Sequence, residues 1–223
     1  MRTSTTKAAL VVAALVVASL ACNALSSLPL GGGSTGDSLL KDDFSDSQSG
    51  WGTGTDADSS VEYDRGGLRM KISRPEYFTW STPDAETYQN VHMETTVRNE
   101  ASDVWSGFGL MCDQQANDTS FYYFVVTPDG EYAIVRSESG KDDVFLTNND
   151  DWGSSDLIVP NAPSYRIGAD CGPGRLTLYV DGKKIDTAAD SSYDGGGVGV
   201  FLWSGSDGAS EVVYDDFALT QLK

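Results

Sequence analysis

Between Leu68 and Leu219 the chain keeps returning to one pattern, an apolar residue at every second position. Leu68, Met70 and Ile72 alternate with Arg69 and Lys71, and Val91, Met93, Thr95 and Val97 with His92, Glu94 and Thr96. Leu176, Leu178 and Val180 alternate with Arg175, Thr177 and Tyr179. A period of two fits a pleated strand with one dry and one wet face, and it does not fit a helix. No stretch of ten or more residues carries a helical stripe. Clusters of Gly, Asp, Asn and Pro separate the runs, and Asp181-Gly182 is a two-residue hairpin signal because both residues tolerate positive φ. Two neighbouring runs differ. "SGFGLMC" sets Phe108, Leu110 and Cys112 on one face, whereas "FYYFVV" (121–126) is apolar on both faces, as a central strand would be.

About a dozen antiparallel strands with 24 glycines and no helix predict an all-β fold, a two-sheet antiparallel β-sandwich or jelly roll. Half-buried alternation on most strands favours two packed sheets over a small barrel.

The first residues predict a different fate. Arg2 and Lys7 precede "AALVVAALVVASLA" (8–21), an uncharged run of signal-peptide length. It is shorter than the roughly 20 apolar residues that a membrane-spanning helix needs. Residues 1–21 therefore read as a signal peptide, residues 22–38 as Cys22 followed by a flexible Gly/Ser tether, and residues 39–223 as the folded domain. Without Arg2 and Lys7 the 15 basic residues fall to 13 against 33 acidic ones, a formal charge of −20. Such a surface repels nucleic acid and anionic lipid, so neither is an expected partner.

Several stretches together, "GFGLMCD", "SFYYFVVTPDGEYAIVR", "YRIGADCGPGRLTLYVDGKKID", "GGVGVFLW" and "VVYDDFAL", resemble the concanavalin A-like lectin/glucanase superfamily. In style they are nearest its laminin-G-like and 3-keto-disaccharide hydrolase-like jelly rolls, over residues 40–222. "SLAC", ending at Cys22, likewise resembles the lipobox of bacterial lipoproteins. It departs from that pattern at Ser19, and the same small residues suit an ordinary secretory cleavage site. The resemblances imply an extracytoplasmic protein, lipidated at Cys22 and anchored to a membrane by that lipid alone, whose domain binds a glycan or envelope polymer. They leave open an enzyme acting on a sugar derivative and a structural or protein-interaction module.

Candidate residues follow. Cys112 and Cys171 share faces with Phe108 and Ile167, so both point inward. In an exported protein they suit a disulfide, and two buried free thiols would satisfy the same faces. Asp-Asp-Phe occurs at 42–44 and again at 215–217. The family fold sets the first and last strands side by side, which would bring Asp42, Asp43, Asp215 and Asp216 together as ligands for a structural calcium ion. Sugar rings stack on aromatic faces, and Trp105, Trp152, Tyr122 and Tyr132 are the candidates for such contact. No catalytic residue is assigned: the paired-acid pattern of related glucanases is missing, and His92 beside Glu94 reads more simply as a surface histidine than as a general base.

Overall fold

The computed structural model describes residues 35–83, 86–100, 105–117, 119–206 and 208–223. The expected signal peptide, Cys22 and most of the expected tether lie outside the described residues. Sixteen strands are described and no helix. They are β1 (Thr35–Asp42), β2 (Gly54–Thr55), β3 (Ser59–Tyr63), β4 (Leu68–Ile72), β5 (Phe78–Ser81), β6 (Val91–Asn99), β7 (Gly107–Gln114) and β8 (Phe121–Val126). The second half adds β9 (Glu131–Ser137), β10 (Val144–Phe145), β11 (Gly153–Ser154), β12 (Ser164–Gly172), β13 (Arg175–Val180), β14 (Lys183–Ala188), β15 (Gly197–Trp203) and β16 (Ser210–Leu222).

All pairings between these strands are antiparallel, and they form two sheets. The nine-stranded sheet runs β14-β13-β12-β6-β16-β4-β3-β2, with β1 also paired to β16; the seven-stranded sheet runs β10-β9-β8-β7-β15-β5, with β11 paired to β9. The alternation read from the sequence is the reason for this layering. Met70, Met93, Ile167 and Leu178 from the large sheet meet Phe108, Leu110, Phe124 and Val200 from the small one in a single dry core. The β13–β14 turn has φ of 49° at Asp181 and 73° at Gly182, the two positive values that a tight hairpin of this kind requires.

β1 begins four residues earlier than the predicted domain. Thr35 pairs with Leu222 and Ser38 with Thr220, so residues 35–38 are strand rather than tether. The polar side chains of this stretch hide an edge strand whose backbone is bonded to the last strand of the chain.

The repeated Asp-Asp-Phe does bring the two ends together, with Asp42 opposite Phe217. The two copies nevertheless serve different purposes. Phe44 lies beyond β1 at φ 54°. Asp42 forms the turn that holds it, with Oδ1 accepting from the Phe44 amide at 2.8 Å and Oδ2 accepting from the Trp51 indole N–H at 2.8 Å. The Trp51 ring then sits edge-on to both Phe44 (5.1 Å) and Phe217 (4.9 Å). In β16 the second pair is a bulge. The register against β6 shifts between Asp215 and Ala218, and Asp216 takes φ 51°. Val212 and Tyr214 point inward before the bulge, Phe217 and Leu219 after it. The extra residue resets the phase so that one long strand keeps its apolar side on the core.

Cys112 on β7 and Cys171 on β12 are disulfide-bonded across the two sheets, 59 residues apart in sequence with Cα atoms 6.6 Å apart. Closing so long a loop restricts the unfolded chain. The double variant C112A/C171A should lose about 4 kcal/mol in guanidinium denaturation. Identical midpoints for the variant and the oxidised parent would show that the bond contributes nothing.

Candidate functional site

A jelly roll has two outer faces, and here they differ in chemistry. The outer face of the seven-stranded sheet is apolar. Because side chains alternate, β8 sends Tyr122, Phe124 and Val126 inward and Phe121, Tyr123 and Val125 outward. β15 adds Phe201 and Trp203 to the outer face and β5 adds Phe78 and Trp80, while Phe145 and Trp152 approach from the β9–β11 side. Together they enclose a groove of about 470 Å³.

The rings are mutually ordered. Phe78 stacks on Phe201 at 5.0 Å and 13°, Tyr123 meets Phe201 edge-on at 5.4 Å, and Trp152 stacks near Trp203 at 6.2 Å and 29°. The floor is flat where β7 passes beneath. Phe201 lies opposite Gly109 and Trp203 opposite Gly107 in the β15–β7 register. A Cβ at Gly109 would strike the Phe124 carbonyl oxygen, and one at Gly107 would come within 3.1 Å of Trp203 Cε3. These two glycines let the neighbouring rings lean over the strand.

Polar groups sit at the rim. Thr119 and Ser137 contribute hydroxyls, and the charged lining among the described residues is Glu76 and Asp143. The Tyr123 hydroxyl donates to Asp143 Oδ2 at 2.8 Å. Burial, reinforced by the Asp143 charge, raises the Tyr123 pKa far above its ordinary value, so the phenol stays a donor. Glu76 lies in a turn at φ 51°. Its amide donates to the Gly205 carbonyl at 3.1 Å, and the next amide, Tyr77, donates to Ser204 Oγ at 3.0 Å. The turn is thereby fastened to the end of β15.

Of the four predicted ring contacts, Trp152 alone lines this groove. Trp105 is 52% exposed but sits before β7, outside the groove lining. Tyr122 and Tyr132 require correction, because their rings are core residues and cannot stack on a ligand. The Tyr122 hydroxyl donates to Asp190 at 2.5 Å, which also accepts from Arg136 at 2.6 Å; the Tyr132 hydroxyl donates to Asp186 of β14 at 3.0 Å. Both are buried polar tips matched to carboxylates. Sequence reasoning missed Phe78, Phe121, Tyr123, Phe145 and Phe201 and did not single out Trp80 or Trp203. The signal was present in "FYYFVV", whose second apolar face was read as burial in a sheet centre.

Three of the four aspartates expected to hold calcium have partners within the protein. Asp42 is engaged by Phe44 and Trp51, Asp43 accepts from the Ser45 amide, and Asp215 pairs with Arg98 at 2.9 Å. Among the described residues no group of three or more His, Cys, Asp or Glu side chains is placed to hold a metal ion. Successive strand residues point to opposite sides, and the bulge spreads the second pair along the solvent face.

His92 is not a surface histidine. It lies on the outer side of the nine-stranded sheet at 5% exposure, away from the groove. Its Nδ1 meets Asp170 Oδ1 at 2.6 Å and its Nε2 lies 3.6 Å from Glu94 Oε1. Tyr179 donates to Asp170 at 2.7 Å and Arg166 to Glu94 at 2.8 Å. Burial disfavours the imidazolium, but the hydrogen bonds to Asp170 and Glu94 outweigh it and raise the pKa from 6.5 to about 9. Burial would likewise raise Glu94, yet His92 and Arg166 hold it below its ordinary 4.5.

No protein-family model and no curated protein sequence matches the chain. Solved structures do. The chain is similar to the carbohydrate-binding module CBM66 from Bacillus subtilis, with a TM-score of 0.60 at 17% identity, covering 78% of this chain and 96% of that one. It is similar to the Bacillus licheniformis β-glucanase, with a TM-score of 0.59 at 15% identity, covering 85% of this chain and all of that one. The fold is a concanavalin A-like jelly roll. A Crh5 transglycosylase in complex with NAG has a TM-score of 0.62 at 11% identity, covering 88% of each chain. Carbohydrate-binding modules and glycan-acting enzymes thus share this jelly roll, and identities this low carry the architecture alone.

The His92 cluster makes stability depend on pH. A histidine whose pKa is raised on folding contributes fully below its unfolded value of 6.5, and that contribution is lost as pH rises through about 9. Glu94, depressed on folding, contributes above about 4.5 and loses its contribution as pH falls. The substitution H92Q should cost roughly 2 kcal/mol near pH 6, with the gap narrowing toward pH 10. Thermal melts of both proteins across that range measure it, and a constant gap would show that His92 does not carry the charge.

Proposed function

We propose that this chain binds a carbohydrate through the aromatic groove on the outer face of its seven-stranded sheet. The observation that carries the reading is the ordered ring array itself. Three tryptophans (Trp80, Trp152 and Trp203) and Tyr123 present ring faces and edges beside rim hydroxyls and carboxylates. The C–H faces of a pyranose suit such rings, and its hydroxyls suit the polar rim. The occurrence of the same jelly roll in a carbohydrate-binding module supports the reading by analogy of fold.

We further propose that Cys22 is lipidated and that the domain works outside the cytoplasm, held to a membrane by that lipid. The support is the apolar run ending in "SLAC" and a disulfide of the sort that oxidising compartments permit.

Two experiments test these readings. On a glycan array, the chain lacking residues 1–22 should bind a restricted set of polysaccharides, and W152A/W203A should weaken binding by about a hundredfold at unchanged melting temperature, near 1–3 kcal/mol of stacking per ring. Binding that survives both substitutions would move the site elsewhere. In a bacterial host, C22A should release the protein from the membrane fraction into the soluble one. Equal membrane retention of C22A and parent would remove the lipid anchor.

A further inference from the structure

The groove's charge narrows what kind of glycan it takes. Glu76 and Asp143 are both exposed and both acidic, and they are its charged lining among the described residues. The cations nearest in sequence are already committed. Arg74 lies 5.6 Å from the centre of the Tyr77 ring and pairs with Asp58 at 3.3 Å, while Lys141 pairs with Glu138 at 2.6 Å. The site is therefore rich in acceptors and in π-faces, two features that attract a positive charge and repel a negative one. The whole chain, at a formal −18, adds to that bias.

Resting on the carbohydrate reading above, we infer that the groove selects glycans carrying protonated amines, meaning hexosamine units without the N-acetyl group, over N-acetylated or uronate-bearing ones. An ammonium group on a ring laid against Trp152 and Trp203 gains from the aromatic faces and from the two rim carboxylates. An acetamide at that position keeps the stacking and loses the charge. A uronate brings a third carboxylate beside Glu76 and Asp143. Tyr123 has a positioning part: its hydroxyl, held on Asp143 at 2.8 Å, keeps that carboxylate at the groove wall.

Calorimetric titration of the chain lacking residues 1–22 with three oligosaccharides of equal length tests the inference: a glucosamine oligomer, its N-acetylated counterpart and a galacturonate oligomer. The glucosamine oligomer should bind about tenfold more tightly than the N-acetylated one near pH 6, the combined effect of cation–π and rim ion pairing, and galacturonate should not bind. The preference should vanish in E76Q/D143N, persist in D156N, whose exposed acid lies outside the groove lining, and fade as pH rises enough to deprotonate the amine. Equal affinities for the amine and N-acetyl forms, tight galacturonate binding, or a D156N effect as large as that of E76Q/D143N would each overturn the inference. If the neutral oligomer binds through Trp152 and Trp203 without preference for the amine, the charge inference falls and carbohydrate binding stands. If none of the three binds and W152A/W203A still matches the parent on the glycan array, both fall.

Discussion

Strand β16 is the element on which the rest of the sandwich depends. It pairs with β6 along one edge, and along the other first with β4 and then with β1. The nine-stranded sheet would otherwise fall into separate pieces at this point. Its Tyr214 is wholly buried, and the hydroxyl spans the core to the opposite sheet, accepting from the Gly109 amide at 3.0 Å and donating to the Phe201 carbonyl. A phenol in so dry a place must find partners. It finds them on the backbone of the two strands that form the floor of the groove. The core anchor and the aromatic groove therefore share strands: the segments that hold Tyr214 are those that carry Gly109 and Phe201.

That sharing explains why the groove can be apolar without collapsing. Exposed aromatic rings in water tend to fold onto one another. Here the central rings are fixed by strands whose inner side chains are locked into the core: Phe201 between Val200 and Leu202, Tyr123 between Tyr122 and Phe124. The pleat transmits rigidity from the inner face to the outer one, and such a surface loses little side-chain entropy on binding. The disulfide from β7 to β12 adds a covalent tie between the sheets next to the same floor.

The two outer faces also divide the charge chemistry. Glu76 and Asp143 stay at an exposed rim where a ligand can reach them, whereas Asp170 and Glu94 are consumed by His92, Arg166 and Tyr179. In a chain with 33 acidic residues, several of the described carboxylates serve as acceptors within the fold. Asp42 holds a turn, Asp190 and Asp186 receive tyrosine hydroxyls, and Asp215 pairs with an arginine. Acid-rich composition in this protein is in part hydrogen-bond chemistry of the fold.

Period-two alternation and turn residues were enough to determine the class of fold, most strand positions, the Asp181-Gly182 hairpin and the inward faces of Cys112 and Cys171, because a strand's local geometry alone decides which side chains share a face. The start of the first strand escaped, since Thr35–Ser38 has the composition of a linker and only its partner β16 makes it a strand. The Asp-Asp-Phe repeat marked the two ends correctly, yet its carboxylates could be assigned only once the bulge at Asp216 and the Trp51 indole were in place. The site was the least legible part. Whether an apolar strand face is core or groove depends on what lies over it, and Phe121 and Phe124 have the same residue type in one short strand. The alternation told the two faces of β8 apart; only the stacking of the sheets decided that Tyr122 would be buried against Asp190 and that Tyr123 would face the aromatic groove.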